Sequence, residues 1–311
     1  MKTLWAGLAS FVLGASTALA QAPAHQDQPA TTYLVADRVT LPLVLVKGYP
    51  FVEGSIHGTK GKLLLDLGQK PAFAVDDHTV HFPDAKVVGH GFFGSGQKFE
   101  VSQLPVVDSI MLPSGLHFEN LQNVRGTPGL PLEQDITPEF IGWIGVEFWK
   151  GYVVRLDYRH PSVTFFRNNA SDAGEHAAEA DEAIVQTIAL DHGNRHDLLS
   201  MQAKLGDRPL TISLDTGSHN TAWLTQEQIT MLQKEGHMTA LDAEDRATLS
   251  GLSLDDQAVP PMVFEVQKGE APTKQFFPHA NGLLLNFGYE FFIRYKTILN
   301  YEQLRMTLLK P

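Results

Sequence analysis

One strand-and-turn phrase occurs twice in this chain. Leu210 to Ser218 reads L-T-I-S-L-D-T-G-S, and Lys62 to Gln69 reads K-L-L-L-D-L-G-Q. In each copy an apolar strand runs into an aspartate. The glycine two residues later allows a sharp turn, so a carboxylate is held at the end of a rigid element. A second pair of segments repeats farther on. Gly145 to Tyr158 reads G-V-E-F-W-K-G-Y-V-V-R-L-D-Y, and Gly288 to Tyr301 reads G-Y-E-F-F-I-R-Y-K-T-I-L-N-Y. At a constant spacing of 143 residues, Gly145, Glu147, Phe148, Tyr152, Leu156 and Tyr158 meet Gly288, Glu290, Phe291, Tyr295, Leu299 and Tyr301. Asp66 and Asp215 repeat at a similar spacing, 149 residues. Two echoes in the same order are an internal duplication, which commits the chain to two copies of one unit.

A single Asp-Thr-Gly carries little weight, because short motifs recur by chance and a turn aspartate is ordinarily just solvated. Two carboxylates facing each other across a symmetric interface are different. They cannot both ionise cheaply, so they share a proton and titrate as a unit. The ionised member can take a proton from water while the protonated member donates to a carbonyl oxygen. Asp66 and Asp215 are the candidates for that pair. The chemistry needs no metal and no covalent intermediate, which agrees with a sequence lacking Cys, H-E-x-x-H and G-x-S-x-G. No cofactor is expected.

On these residues both halves resemble the retropepsin-like and pepsin-like aspartic proteases, in an exported two-lobe form of bacterial type. In that family a strand ends in D-T-G-S or D-T-G-A, and a glycine-rich hairpin flap follows. An apolar-apolar-glycine segment then precedes a short helix and closing strands. The matching segments are Asp215 to Ser218, Asp66 to Gln69, the G-H-G-F-F-G-S-G run from Gly89 to Gly96, Ile141 to Gly145, and Asn281 to Leu285. The resemblance covers Leu41 to the C-terminus apart from one linker. It implies an all-β fold of two pseudo-twofold-related, retropepsin-like acid-protease β-barrel lobes. It implies an aspartic endopeptidase acting on a peptide or protein, with Asp66 and Asp215 catalytic and Gly68, Thr216, Gly217 and Ser218 supporting their turns. Gly91, Phe92, Phe93 and Gly94 would belong to a flap over the substrate, although a plain glycine-rich hairpin tip reads the same way. The lobe-two region around Ser250-Gly251-Leu252 is poorer in glycine, so one flap is expected. Lobe one departs from the pattern. Leu67 stands where the family has the Thr that ties the two turns together, and Gln69 replaces a small residue. A relative that binds peptides without cleaving them is therefore the alternative.

The 311 residues suit two modest domains. Residues 1–20 carry one early Lys, a short apolar run and Ala18-Leu19-Ala20, the pattern of a secretory leader with an A-x-A cleavage site. The run is too short and too diluted for a membrane anchor. The expectation is export to the periplasm or beyond, with no membrane insertion after cleavage. Residues 21–38 read as a flexible segment, 39–167 as lobe one, 168–182 as an acidic linker and 183–311 as lobe two. A net charge of −11 without a basic stripe argues against nucleic acid. The product is expected to be a monomer.

Inside lobe two, Thr225 to Gly236 reads as a helix with Thr225 as N-cap, Gln228 as its capping-box partner and Gly236 at the C-terminal end. Thirteen histidines raise the question of a metal. The D-D-H-T-V-H run at Asp76 to His81 has no second cluster at ligand spacing to complete it, so no metal site is expected. His219, beside Ser218, is placed to tune the aspartate turn.

Overall fold

The computed structural model describes residues 11–12, 32–93, 96–168, 182–193, 198–271, 274–277, 280 and 282–310. Apart from Phe11–Val12 the expected leader lies outside these residues, as do Gly94 and residues 169–181 of the linker. The chain begins with β1 (Phe11–Val12) and then builds lobe one. Its strands are β2 (Arg38–Pro42), β3 (Val44–Val46), β4 (Tyr49–Ile56), β5 (Thr59–Leu65), β6 (Phe73–Asp76), β7 (Lys86–Phe93), β8 (Lys98–Gln103), β9 (Val107–Met111), β10 (His117–Leu121) and β11 (Arg125–Thr127). Helix α1 (Leu130–Asp135) follows, then β12 (Phe140–Ile144), β13 (Tyr152–Asp157) and β14 (Ser162–Arg167). Lobe two holds β15 (Ile184–Ala189), β16 (Asp191–His192), β17 (Leu199–Leu205), β18 (Arg208–Leu214), β19 (Thr221–Leu224) and helix α2 (Gln226–Lys234). It continues with β20 (Arg246–Leu249), β21 (Leu252–Leu254), β22 (Gln257–Ala258), β23 (Met262–Lys268), β24 (Leu283–Phe287), helix α3 (Tyr289–Phe292), β25 (Lys296–Asn300) and β26 (Arg305–Leu309).

The duplication reaches much further than the sequence echoes. The lobe-one sheet runs β8-β11-β6-β12-β5-β4-β9-β10, and the lobe-two sheet runs β20-β23-β19-β24-β18-β17-β21-β22. The two orders correspond strand for strand. The parallel pairs β11/β6 and β12/β5 match the parallel pairs β23/β19 and β24/β18, and the remaining neighbours are antiparallel in both. Side strands β3 and β16 hang on β4 and β17. This is the all-β, two-lobe fold expected from the repeat. The strands between parallel neighbours read as unbroken apolar runs because both faces are covered. All of β12 (F-I-G-W-I) and all of β24 (L-L-L-N-F) are buried.

A third sheet, β15-β26-β25-β13-β14-β2, joins the lobes and reads equivalently from either end. At its centre Arg155 faces Ile298, flanked by Val154 opposite Leu299 and Leu156 opposite Thr297. The repeat spacing maps Arg155 onto Ile298, so the pseudo-twofold axis passes between these two residues. Helix α2 has the capping box read from the sequence. The Thr225 side chain accepts from Gln228 N, and Gly236 follows at φ +77°.

Three sequence-level details change. Helix α1 was not anticipated. Its start is set by Gly129, with Pro131 in the first turn. The segment equivalent to Ile141–Gly145 is Leu284 to Gly288, not Asn281 to Leu285, because β12 and β24 end together at Ile144 and Phe287. Ser250 to Leu252 lies at the β20–β21 link, which corresponds to the β8–β9 link and not to the β7–β8 hairpin. Among the described residues, lobe two has no strand equivalent to β7.

Close to the twofold, Glu182 Oε1 accepts from Arg155 Nη2 at 2.6 Å and from Lys296 Nζ, and Lys296 Nζ also lies 3.5 Å from Asp157 Oδ2. All four side chains are largely buried, so the cations depend on these carboxylates for compensation. Removing one partner of a buried pair typically costs 3–5 kcal/mol. Glu182→Gln is expected to lower the unfolding free energy by about 3 kcal/mol in chemical denaturation. Asp256→Asn, which breaks an exposed pair with Lys204, should leave the midpoint unchanged.

Candidate active site

Both aspartates are set by the same backbone device. Asp66 N donates to Ile144 O and Asp215 N to Phe287 O, each at 2.9 Å, so the parallel neighbour fixes where each strand ends. The chain then turns back on its own carboxylate. Gly68 N donates to Asp66 Oδ1 at 2.7 Å, and Gly217 N to Asp215 Oδ1 at 2.8 Å. These bonds orient the two carboxyl groups equivalently about the axis.

The structure brings the turns into contact. A Cβ placed on Gly217 would lie 2.9 Å from Asp66 Oδ2, so the Asp66 carboxyl lies against the backbone of the tripeptide that carries Asp215. Any larger residue at 217 would separate the two. Across the same interface the Thr216 hydroxyl donates to Leu65 O at 2.6 Å and accepts from Leu67 N at 3.0 Å. Asp66 and Asp215 are only 1% and 5% exposed. The Tyr158 phenol, fully buried nearby, is held well above its ordinary pKa by burial, and the charges of Asp215 and Asp66 push it the same way.

The symmetry of backbone is not matched by symmetry of side chains. In lobe two, Asn286 Nδ2 donates to Asp215 Oδ2 at 3.3 Å and to Ser218 Oγ, while Ser213 donates to Asn286 Oδ1 at 2.8 Å. Ser218 therefore acts on the Asp215 carboxyl through Asn286, and its own hydroxyl donates to His219 O at 2.9 Å. In lobe one the places of Ser213, Asn286 and Ser218 fall to Leu64, Trp143 and Gln69. Gln69 is wholly buried, and neither side-chain amide atom has a protein partner among the described residues. Leu67 is 2% exposed and belongs to the main apolar cluster. The counterpart bonds that a hydroxyl at 67 would add to those of Thr216 are replaced by packing.

The candidate flap residues separate into two roles. Gly91 and Phe93 are buried near the tip of the β7–β8 hairpin. A Cβ on Gly91 would meet the Phe99 ring at 2.4 Å, and Phe93 packs on Phe99 with ring centroids 4.7 Å apart. Phe92 instead reaches lobe two and stacks on Phe276 at 6.0 Å. Under the hairpin, Phe93, Phe99 and Val101 share a cluster with Tyr49, Phe51, Phe140, Trp143 and Leu132 of α1.

Sequence reasoning missed the group that holds α1 there. Asp76 Oδ1 accepts from Gly129 N at 2.8 Å and from His78 N at 3.2 Å, and Thr79 donates to Oδ2 at 3.0 Å. Glu133 of α1 lies beside it and pairs with His78 Nδ1 at 2.9 Å. The D-D-H-T-V-H run thus closes a turn under the hairpin. Among the described residues no group of three His, Asp or Glu side chains is arranged to hold a metal.

Two solved structures similar to this chain are basic 7S globulin from soybean and an aspartic proteinase from Irpex lacteus. The first matches at 12% identity and a TM-score of 0.44, covering 88% of this chain and 95% of its own. The second matches at 11% identity and 0.46, covering 88% and 97%. No family model matches the chain. No curated protein matches it either.

Two tests follow from this geometry. Leu67→Thr would place a hydroxyl in an apolar setting and is expected to lower stability by about 1–3 kcal/mol, read from denaturation of both proteins. Burial, then the neighbouring Glu133, pushes the Asp76 carboxyl from 3.8 up to about 7. The folded state therefore binds this proton more tightly than the unfolded chain, so stability rises as pH falls from about 7 toward 3.8 and levels off below. Asp76→Asn should flatten that rise in melting temperature. The raised Glu265 and His219 have the same sign and keep part of it.

Proposed function

We propose that this chain is an exported aspartic endopeptidase that hydrolyses peptide bonds with one water activated between Asp66 and Asp215. The observation that carries the reading is the contact of the Asp66 carboxyl with the Gly217 backbone, the same residue whose N–H orients Asp215. Two carboxyls held this close favour one shared proton. The ionised carboxylate accepts a proton from water as the oxygen attacks the substrate carbonyl. The protonated carboxyl donates to the carbonyl oxygen as the tetrahedral diol forms. Collapse breaks the C–N bond, the amine leaves with a proton, and the dyad returns to its singly protonated state.

The substrate is an extended peptide. In this reading the β7–β8 hairpin serves as the flap, and the outer edge of β7 takes an added strand, as it takes β1. Aromatic and aliphatic surfaces on both sides, including Phe92 and Phe276, suit apolar side chains at alternate positions.

A second reading is favoured by Leu67. With one hydroxyl instead of two spanning the turns, the groove could hold a peptide without hydrolysing it. Cleavage of an unfolded protein decides between them. Under the first reading Asp66→Asn and Asp215→Asn each lower turnover by at least about 10³-fold, the wild type works best at acidic pH, and chelators change nothing. Activity that survives in either variant would overturn the dyad. A wild type that retains a peptide uncleaved across pH 3–7 would select the second.

A further inference from the structure

Both ring nitrogens of His219 face acceptors. Nδ1 lies 2.6 Å from Glu290 Oε1, and Nε2 lies 2.9 Å from the backbone oxygen of Lys47. A neutral imidazole has one N–H and can satisfy only one of them, whereas an imidazolium satisfies both. The second acceptor belongs to the other lobe. Lys47 and Gly48, at φ +50° and +90°, form the tight turn between β3 and β4, and that tip docks on lobe two. A Cβ on Gly48 would meet the Tyr289 ring at 2.7 Å, and the Tyr49 ring packs edge-on to His219 at 5.3 Å. On the lobe-two side, Ser218 O accepts from Tyr289 N and the Ser218 hydroxyl donates to His219 O, so the imidazole is tied to the Asp215 turn. Glu290 Oε2 also accepts from Asn220 N at 2.7 Å, which fixes the carboxylate.

The duplication supplies an internal comparison. The repeat places Lys70 and Glu147 where lobe two has His219 and Glu290, and the backbone contacts agree, with Val146 N donating to Gln69 O as Tyr289 N does to Ser218 O. Lys70 and Glu147 are both exposed. Among the described residues, only the lobe-two pair is covered by a hairpin tip from the opposite lobe, and there the cation is an imidazolium.

We propose that His219 is a positioning residue whose imidazolium latches the Lys47–Gly48 tip of lobe one to the Asp215 turn, so that the geometry between the lobes is set by proton uptake. This rests on the endopeptidase reading for its catalytic consequence but not for the latch itself. The groups that face the imidazole are Glu290 on α3, Glu265 on β23, Tyr49 on β4 and Tyr289 on α3, with the Lys47 carbonyl above it. Burial opposes the imidazolium, but the bond and charge of Glu290, the charge of Glu265 and the Lys47 carbonyl outweigh it and raise His219 above 6.5. Burial also raises the Glu265 carboxyl, which His219 opposes and Glu290 reinforces. A raised folded-state value means the latch is complete below 6.5 and is lost as pH rises through the value in the fold.

The test uses the full chain and His219→Gln, which is neutral and can reach only one acceptor at a time. Ring NMR of the wild type should give an imidazolium titrating above 6.5. Hydrogen exchange, corrected for intrinsic pH dependence, should find the Lys47 to Tyr49 amides protected at pH 5.5 and released at pH 8.5 in the wild type. In His219→Gln their exchange should not change with pH. On a cleaved substrate, His219→Gln should lower kcat about tenfold with little change in KM, and its alkaline limb should no longer follow the imidazole titration. A His219 that is neutral at pH 5.5, or tip protection with the same pH dependence in both proteins, overturns the latch. If neither protein cleaves anything but the NMR and exchange results hold, the latch stands and the endopeptidase reading falls. If cleavage occurs and His219→Gln keeps the wild-type kcat and pH profile, the catalytic role of the latch falls.

Discussion

The pairing of β13 with β25 is the constraint on which the rest of the molecule depends. Three consecutive residue pairs straddle the pseudo-twofold axis, with Arg155 and Ile298 on it. Because a one-residue slip in a strand turns every side chain to the opposite face, this register is strongly fixed. All of β13 and nearly all of β25 are buried. Once the register is set, everything at equal distance from the axis is placed in duplicate. The ends of β12 and β24 then determine where β5 and β18 stop, and each stop is an aspartate. The positions of Asp66 and Asp215 are therefore inherited from a sheet that does not itself contain them.

Within that symmetric frame the side chains divide unequally. Lobe two supports its aspartate with a polar chain, Ser213 to Asn286 to Asp215 and Ser218, and sends Thr216 across the interface. Lobe one fills the same places with Leu64, Trp143, Gln69 and Leu67, nearly all of it packing. Hydrogen bonds fix orientation, and apolar contacts fix volume. The lobe-two turn is thus held in direction by its own neighbours, while the lobe-one turn takes its direction from Thr216 and from the strand end at Ile144. A gene duplication needs only one set of directional bonds across a twofold interface to orient both turns. With Thr216 in place, Leu67 can pack without a hydroxyl while the Asp66 carboxyl still lies against Gly217.

The sequence made the repeat, the aspartate turns and the α2 capping box legible because each is written in local residue order. D-T-G-S and its copy announce a strand end, and T-Q-E-Q announces a helix start. What stayed hidden depends on pairing between distant segments. Asn281 to Leu285 looked like the partner of Ile141 to Gly145 because both are apolar runs near glycine, yet strand register assigns that place to Leu284 to Gly288. The signal was present in the constant spacing from Gly145 to Gly288, which fixes the glycine directly. The β7 strand has no lobe-two counterpart among the described residues, and glycine content alone could not reveal that the region compared with it belongs to a different link. The D-D-H-T-V-H run offers two histidines beside two acids but no completed metal cluster, and the role of Asp76 follows from its burial at the start of α1, which no local pattern encodes.

Three of the groups shifted toward protonation lie where one part of the structure meets another. Asp76 sits at the start of α1, and His219 and Glu265 sit where the tip of lobe one meets lobe two. Each is better satisfied with its proton than without it: an acid beside Glu133, a carboxyl in a buried setting, an imidazolium between two acceptors. A chain of net charge −11 gains further from such protonation, since every acid neutralised reduces the repulsion of the compact state. Asp157 works in the other direction. Burial raises it, but the backbone of His160, the charge of Lys296 and the backbone of Arg159 overcome burial and leave it lowered, so its bonds fail only in stronger acid. Mild acid thus favours the bonds at Asp76 and His219, while those of Asp157 stay ionic. A proton shared between Asp66 and Asp215, as proposed, would be favoured on the same acidic side.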